Sequence, residues 1–475
     1  MILYVLRRDW APTELGADND IMTYKEAQIY MERMAGRGSI LGLTPITQLL
    51  RRLDNPQNKL QVIHVAGTNG KGSTCTFLEY LYREEGKRVG RYISPALHCY
   101  LERFQIDGHN MEEQEFAGLL SYVVSRIEDM EQAGEELPTA FEIETAIAFQ
   151  YFAEQQVDIV ILETGMGGRL DATNVVDHPL CTVFTSIGMD HMQFLGDTLE
   201  QIAYEKAGII KTGCPVISYP NSLPVIKVLE QQYSLHNVCE TEQPGFRVVQ
   251  EEDIIILSET REGSTFQYKG TEYEIRMTGR HQIYNAVTAI ETKLCLDGAL
   301  IKEGLRNAYM EGRFDTVSEH PLIIRDGAHN ADGAAMLKKS LEKHFTNEKL
   351  IFIIGVLRDK EYDKMMAVLC PFAERVFTIT PDHERGLSAE VLRDSILPYC
   401  DAVEACSSVQ EALNRAKQEH DLLYAKGERA VIIAWGSLSY IGQLGTGCTA
   451  VNRTGYGTSR TNYEASALSN TSDAD

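Results

Sequence analysis

Val65-Ala66-Gly67-Thr68-Asn69-Gly70-Lys71-Gly72-Ser73-Thr74 (65–74) decides the fold. It completes an apolar run, QVIHVAG (61–67), and precedes a helix-period segment carrying Phe77, Leu78 and Leu81. A strand that turns through glycines into a helix aims backbone N–H groups and a helix N-terminus at one point, and a lysine there neutralises a phosphate. The glycines, Lys71 and Ser73 in that context read as a phosphate loop rather than an ordinary strand-to-helix turn. It is not a strict Walker A motif, because Gly72 replaces the Ser or Thr after the lysine and the upstream glycine is misplaced.

Outward from this loop, further strand-length apolar runs alternate with helix-period segments: RVGRYIS (88–94), VDIVILE (157–163) and CTVFTSIG (181–188). That alternation predicts a parallel sheet with helices on its faces. Thr139-Ala140-Phe141-Glu142 is a capping box that starts one such helix, with Phe141, Thr145, Ala148, Phe149 and Phe152 at helical spacing. Between about 238 and 278 the runs shorten to EDIIIL (252–257) and TFQYKGTEYEIRM (265–277), the latter broken by Lys269-Gly270, and predict a small antiparallel appendage. After Gly312 come PLIIRD (321–326), KLIFIIGVL (349–357), RVFTIT (375–380) and RAVIIAWGS (429–437). The expected fold class is α/β: a P-loop-type, mostly parallel sheet domain with a small antiparallel appendage, followed by a smaller Rossmann-like α/β domain. The expected boundaries are an N-terminal extension over 1–22, the phosphate-loop domain over 23–311, the second domain over 312–443 and a disordered tail, rich in Gly, Ser, Thr and Asn, over 444–475.

Polar residues gather just past the predicted strands, where open α/β sheets bind ligands. Glu163 ends its apolar run and opens Glu163-Thr164-Gly165-Met166-Gly167-Gly168-Arg169-Leu170-Asp171-Ala172-Thr173-Asn174. A carboxylate there suits Mg²⁺ shared with substrate phosphates, or caps the next element. His191, in Ser186-Ile187-Gly188-Met189-Asp190-His191, taken alone serves structure as readily as ligation. Its company of phosphate loop, Ser94 and Glu163 points to one convergent edge. Leu199, Ile202, Ala203 and Lys206 fall at i, i+3, i+4 and i+7, which puts a lysine on the apolar face of a helix. Such a lysine is either snorkelling or paired, or it is desolvated enough to react with CO₂ and become a carbamate metal ligand. In the second domain, Arg325-Asp326-Gly327-Ala328-His329-Asn330, Asp359-Lys360 and Gly436-Ser437 each follow a strand. Arg313, at the hinge expected near 310–316, is placed to reach a phosphoryl group as the domains close.

The 475 residues carry 45 Lys+Arg against 68 Asp+Glu, a formal net charge of −23. That balance argues against nucleic-acid and anionic-membrane partners, which are met by excess Lys and Arg. Ten cysteines without a C-x-x-C pair read as reduced cytosolic thiols. No apolar run approaches the roughly 18 residues of a membrane span, and MILYVLRR does not have the order of a signal peptide. A soluble cytoplasmic enzyme is expected.

GTNGKGST (67–74), ETGMGGRLDATN (163–174), TSIGMDH (185–191), EKAGIIK (205–211), GRHQIYNA (279–286), RDGAHN (325–330) and GSLSY (436–440), in this order, resemble the folylpolyglutamate synthase family. Its bacterial members commonly act also as dihydrofolate synthases, and it belongs with the Mur ligases. The resemblance spans roughly 23–443. It implies that Gly67, Thr68, Asn69, Gly70, Lys71, Gly72 and Ser73 hold ATP phosphates. It further implies that Ser94 and Glu163 ligate one Mg²⁺, and that Glu163, His191 and carbamylated Lys206 surround a second. Asn285 would approach adenine, with Arg313 and Asp326 completing the nucleotide site and His329 beside it. Lys71, Lys206, His191, Arg313 and His329 form the implied catalytic set. The implied substrates are a folate or dihydropteroate and L-glutamate, joined through an acyl phosphate by a monomer. The competing readings are another Mur-type amino-acid ligase and a catalytically silent nucleotide-binding regulator; the retained Ser94, Glu163, His191 and Lys206 oppose the second. Three positions depart from the family pattern. Ser94-Pro95-Ala96-Leu97 replaces Ser-Pro-His-Leu, with His98 close by; Glu311 replaces Pro before Gly312-Arg313; and Ala331 replaces Pro after Asn330.

Overall fold

The computed structural model describes residues 21–36, 42–237, 245–298 and 302–444. Most of the expected N-terminal extension and all but the first residue of the expected tail lie outside them.

The four early apolar runs form the centre of an eight-stranded sheet. Its order is His109–Asn110, Phe104–Ile106, Val89–Tyr92, Ile159–Glu163, Val62–Ala66, Cys181–Phe184, Val216–Ser218 and Phe246–Val248. The six strands from Val89–Tyr92 onward pair in parallel, and the first two close one edge antiparallel. The central strands are buried along their whole length, as expected of a sheet covered on both faces. Alternation divides their side chains. Val62, Tyr92, Val160 and Leu162 join a core under the helices Tyr24–Ala35, Thr44–Arg52, Glu113–Gln132 and Ala140–Glu154, the last opened by the Thr139/Glu142 capping box. Ile63, Val65, Ile159, Ile161 and Val183 face the opposite core, under Lys71–Arg83 and Arg280–Leu296.

Three antiparallel strands, Ile254–Thr260, Gly263–Tyr268 and Thr271–Ile275, form the appendage, with the Lys269-Gly270 break as a hairpin turn. Phe266, Tyr273 and Ile275 pack it onto the second core. The segment 238–278 is not all appendage, however: Phe246–Val248 continues the parallel sheet beside Val216–Ser218. The second large sheet runs Asp315–Glu319, Leu322–Asp326, Ala430–Trp435, Lys349–Ile354, Ala373–Thr378 and Val403–Ala405, parallel except for its first strand. The fold is therefore the expected mostly parallel sheet followed by a smaller α/β sheet.

Sheet order positions the site. Val62–Ala66 lies between the strands ending at Glu163 and Phe184, with Val65 opposite Glu163 and Ala66 opposite Phe184. The loops beginning at Gly67, Thr164 and Thr185 thus leave the same edge side by side.

Candidate active site

The phosphate loop is stitched to its neighbour. The N–H groups of Thr68 and Asn69 donate to the Ser186 carbonyl at 2.7 and 3.1 Å, and the Thr68 hydroxyl donates to the Gly188 carbonyl at 3.0 Å. Gly70 caps the helix Lys71–Arg83 with φ +88°, and a Cβ there would lie 2.5 Å from Asn285 Oδ1. Only glycine meets both conditions. The buried Ser73 Oγ and Asn285 Oδ1 have no hydrogen-bond partner. Beside this helix N-terminus, which has no side-chain cap, the unpaired Ser73 hydroxyl can donate to a phosphate oxygen, whereas Asn285 Oδ1 only accepts and calls for an N–H donor such as a base amine.

Lys71 Nζ lies 3.3 Å from the Thr68 carbonyl and 3.7 Å from Glu163 Oε1. Glu163 is 4% exposed. Burial pushes its carboxyl up, opposed by the charges of Lys71 and Arg313 and by the Ser94 N–H. Lys206 ends the helix Leu199–Lys206, also 4% exposed, with its Nζ 2.8 Å from the Gly67 carbonyl. Its partner is therefore a carbonyl of the phosphate loop. Burial, aided by the positive charge of Lys71, brings its ammonium down to about 7. The glycine-rich segment after Glu163 seats this helix. Arg169 N–H donates to the Glu205 carbonyl at 2.8 Å, and Asn174 Nδ2 donates to the carbonyls of Arg169 and Gly208 at 3.0 and 3.1 Å.

His191 has φ +51° and a ring brought down to about 4 by burial and by the charge of Lys360, so it is neutral near pH 7. From the second sheet, Asp326 accepts the Ala328 N–H at 2.8 Å and is pushed up to about 6 by burial. Arg313 Nη1 donates to the Gly312 carbonyl at 2.9 Å. His329 Nδ1 lies 2.8 Å from the Gly327 carbonyl, which only accepts, so that nitrogen carries the proton. Burial and Lys360 bring this ring also to about 4, leaving Nε2 as an acceptor 4.0 Å from Asp190 Oδ2.

Every site residue expected from the sequence lines one cleft between the two large sheets: Gly67, Thr68, Asn69, Gly70, Lys71, Gly72, Ser73, Ser94, Glu163, His191, Lys206, Asn285, Arg313, Asp326 and His329. Two strand-end residues of the second domain are used elsewhere. Asp359 pairs with Arg385 at 2.7 Å, and the Ser437 hydroxyl caps the turn at Ser439. Tyr219, His281, Met336 and Ser340 also line the cleft without a sequence signal: Tyr219 follows a strand of only three residues, Val216–Ser218, and the other three sit on helices. Asp190, which no sequence pattern marks beyond its place before His191, binds Lys360 Nζ at 2.7 Å and Asn330 Nδ2 at 3.1 Å.

Among the described residues, no three His, Cys, Asp or Glu side chains gather as a metal cage. Mg²⁺ needs no such cage, because it takes one or two carboxylates and completes its shell with phosphates and water. Glu163 at the phosphate loop is one such carboxylate, and Ser94 and His191 line the same cleft.

Residues 65–292 match the family model of the Mur ligase middle domain, and residues 312–429 match that of the Mur ligase glutamate ligase domain. The chain is 34% identical over 444 residues to a Bacillus subtilis dihydrofolate synthase/folylpolyglutamate synthase, across 89% of this chain and 98% of that one. It is similar to the solved structure of Mycobacterium tuberculosis folylpolyglutamate synthase complexed with ADP, with a TM-score of 0.80 and 28% identity over 88% of this chain and 98% of that one. E. coli FolC in complex with DHPP and ADP gives a TM-score of 0.76 and 27% identity, over 89% and 97%.

Proposed function

The chain belongs to the folylpolyglutamate synthase/dihydrofolate synthase family of Mur ligases, and on that premise we propose how its cleft works. It is an ATP-dependent ligase that adds L-glutamate to a folate. One observation supports the assignment of roles: the phosphate loop of the first sheet faces Arg313, Asp326 and His329 of the second across a single cleft.

The substrate carboxylate attacks the γ-phosphorus of ATP, giving an acyl phosphate and ADP. The amino group of L-glutamate then attacks the acyl carbon, forming the amide and releasing phosphate. Gly67 to Ser73 cradle the ATP phosphates through their N–H groups, and Lys71 and Arg313 offset the charge that spreads over the phosphoryl oxygens. Asn285 faces adenine, and Asp326 closes the nucleotide site from the second sheet. The neutral His329 presents Nε2 to take a proton from the attacking amine.

Ser94, Glu163, His191 and a carbamate on Lys206 would hold two Mg²⁺, which supply further neutralisation of phosphoryl charge when bound. An amine with a pKa of about 7 is substantially neutral at physiological pH and adds to CO₂, losing one proton, to give that carbamate. Closure of the two sheets keeps water from the acyl phosphate.

We assign both first-glutamate addition to dihydropteroate and chain extension on reduced folates to this one cleft, since the two share all the phosphate chemistry. The protein acts as a cytoplasmic monomer with neither nucleic-acid nor membrane partner. No helix among the described residues is long and apolar enough to cross a membrane. ADP release from purified protein with ATP, Mg²⁺ and glutamate, comparing dihydropteroate with tetrahydrofolate, tests the reading. Glutamate-dependent release with both is expected; none with either refutes it.

A further inference from the structure

His98, which follows the departing Ser-Pro-Ala-Leu stretch, and Glu311, the departure before Gly312-Arg313, lie 213 positions apart and meet in space. His98 Nε2 is hydrogen-bonded to Glu311 Oε2, and its Nδ1 lies 3.1 Å from the Gly442 carbonyl in the last described turn of the second domain. Both ring nitrogens therefore serve as donors, the pattern of an imidazolium. Glu311 is held in turn by Arg325 at 2.8 Å, and the buried Arg325 by Asp315 at 3.0 Å.

The loop bearing His98 leaves the first sheet at Val89–Tyr92 and carries Ser94, whose N–H reaches Glu163. It returns through Tyr100 and Arg103, both bound to Glu144. Its middle leans on the other domain: Leu97 packs against the core containing Leu438 and Ile441. A Cβ on Gly442 would lie 2.1 Å from the Leu97 carbonyl, so the approach is close enough to require glycine there.

We infer that His98 is a positioning residue for ligation: by joining Glu311 and Gly442 it fastens the Ser94 loop to the second domain and holds the cleft closed during glutamate transfer. This rests on the ligase reading above, because the step it serves is the one that must exclude water.

A partly exposed ion pair on its own contributes little. Here the geometry is set from both sides, by the Glu102 carboxylate accepting the Leu97 and His98 N–H groups and by the Arg325–Asp315 pair behind Glu311. The charged groups facing the ring are Glu311, Glu102 and Arg325. The hydrogen bond to Glu311 raises its pKa, against burial and Arg325, while Glu311 itself is held at about 2, chiefly by His98. The clasp is thus fully present below the ordinary histidine value of about 6.5 and is lost as pH rises through the higher value of His98 in the folded protein.

The test uses the full chain with His98→Ala, His98→Gln and Glu311→Gln, read by glutamate-dependent turnover against pH and by NMR titration of ¹³C-labelled histidine. At about pH 6, His98→Ala is expected to lower kcat roughly fivefold with the KM for ATP within about twofold, the scale of one networked ion pair. His98→Gln recovers part of the loss, and the gap to the native protein narrows toward alkaline pH. In the NMR arm, the resonance missing from His98→Gln titrates above about 6.5 in the native protein and moves down in Glu311→Gln. Superimposable pH profiles for native and His98→Gln, or a His98 titration unmoved by Glu311→Gln, overturn the proposal. If His98→Ala does not fold, the two glutamine variants decide. Because NMR reads the clasp without turnover, an inactive native protein would refute the ligase reading while leaving the clasp to be judged by the titration.

Discussion

The side-chain amides of Asn69 and Asn330 exchange two hydrogen bonds, of 3.0 and 3.3 Å, across the cleft between the two large sheets. Asn69 belongs to the phosphate loop. Asn330 caps the helix Ala331–His344 by accepting the Gly333 N–H at 2.8 Å, and its amide also reaches Asp190. Phosphate loop, His191 segment and second domain therefore form one hydrogen-bonded unit.

Asp190→Asn should be the most destabilising surface-neutral change in that unit. Both partners of the Asp190–Lys360 pair have side chains 9% exposed, and removing the carboxylate charge leaves a nearly buried ammonium without its counter-ion. A loss of about 3 kcal/mol is expected in urea unfolding. Although burial pushes Asp190 up, Lys360 and then His191 hold it well below its ordinary value of 3.8. Its contribution is present above that ordinary value and disappears only as pH falls through the depressed one. The native-to-variant difference should therefore stay level from about pH 5 to 8.

Lys71→Met is expected to lower kcat by about 10²- to 10³-fold at saturating ATP, the usual consequence of deleting one preorganised charge at a transferring phosphoryl group. Its contacts to Thr68 and Glu163 are long, at 3.3 and 3.7 Å, so thermal stability should change little. Steady-state kinetics with a parallel melting curve check this, and full activity in the variant would remove Lys71 from the phosphate site.

Lys206→Ala should lose about 10²-fold or more in turnover, on the scale of removing one electrostatic group, and added short-chain carboxylates should restore part of it. In CO₂-depleted buffer the native enzyme should be activated by bicarbonate. With the amine at about 7, the neutral, reactive fraction grows as pH rises through that value, so activation should be stronger at about pH 8 than at pH 6. Normal turnover in Lys206→Ala would exclude the carbamate.

Gly70→Ala combines a left-handed backbone at φ +88° with a Cβ only 2.5 Å from Asn285 Oδ1. The conformational penalty alone is about 1–2 kcal/mol, and displacement of Asn285 should weaken nucleotide binding by about tenfold or more. Titration with a fluorescent ATP analogue measures it; an unchanged Kd would show that neither Gly70 nor Asn285 shapes the site.

Much of the cleft was legible in the sequence because its parts are local. The phosphate loop is contiguous, the central strands are mostly apolar, and the position of Lys206 on an apolar face follows from helical spacing alone. The short strands Val216–Ser218, Phe246–Val248 and Val403–Ala405 are not legible in the sequence. Three residues span less than two periods of alternation, so pairing with a neighbour, and not their own pattern, makes them strands.

By itself the sequence determined where the chain turns from strand to helix and which carboxylate and lysine stand at those turns. These are properties of neighbouring residues and of backbone sterics. Only the tertiary structure decided that Asp190 answers to Lys360, that Asn69 pairs with Asn330, that Lys206 binds the Gly67 carbonyl, and that His98 and Glu311 are partners. Those pairings join residues more than a hundred positions apart. Sheet order and the closing of one domain on the other create them, and long-range contacts of this kind leave no periodicity in a single sequence.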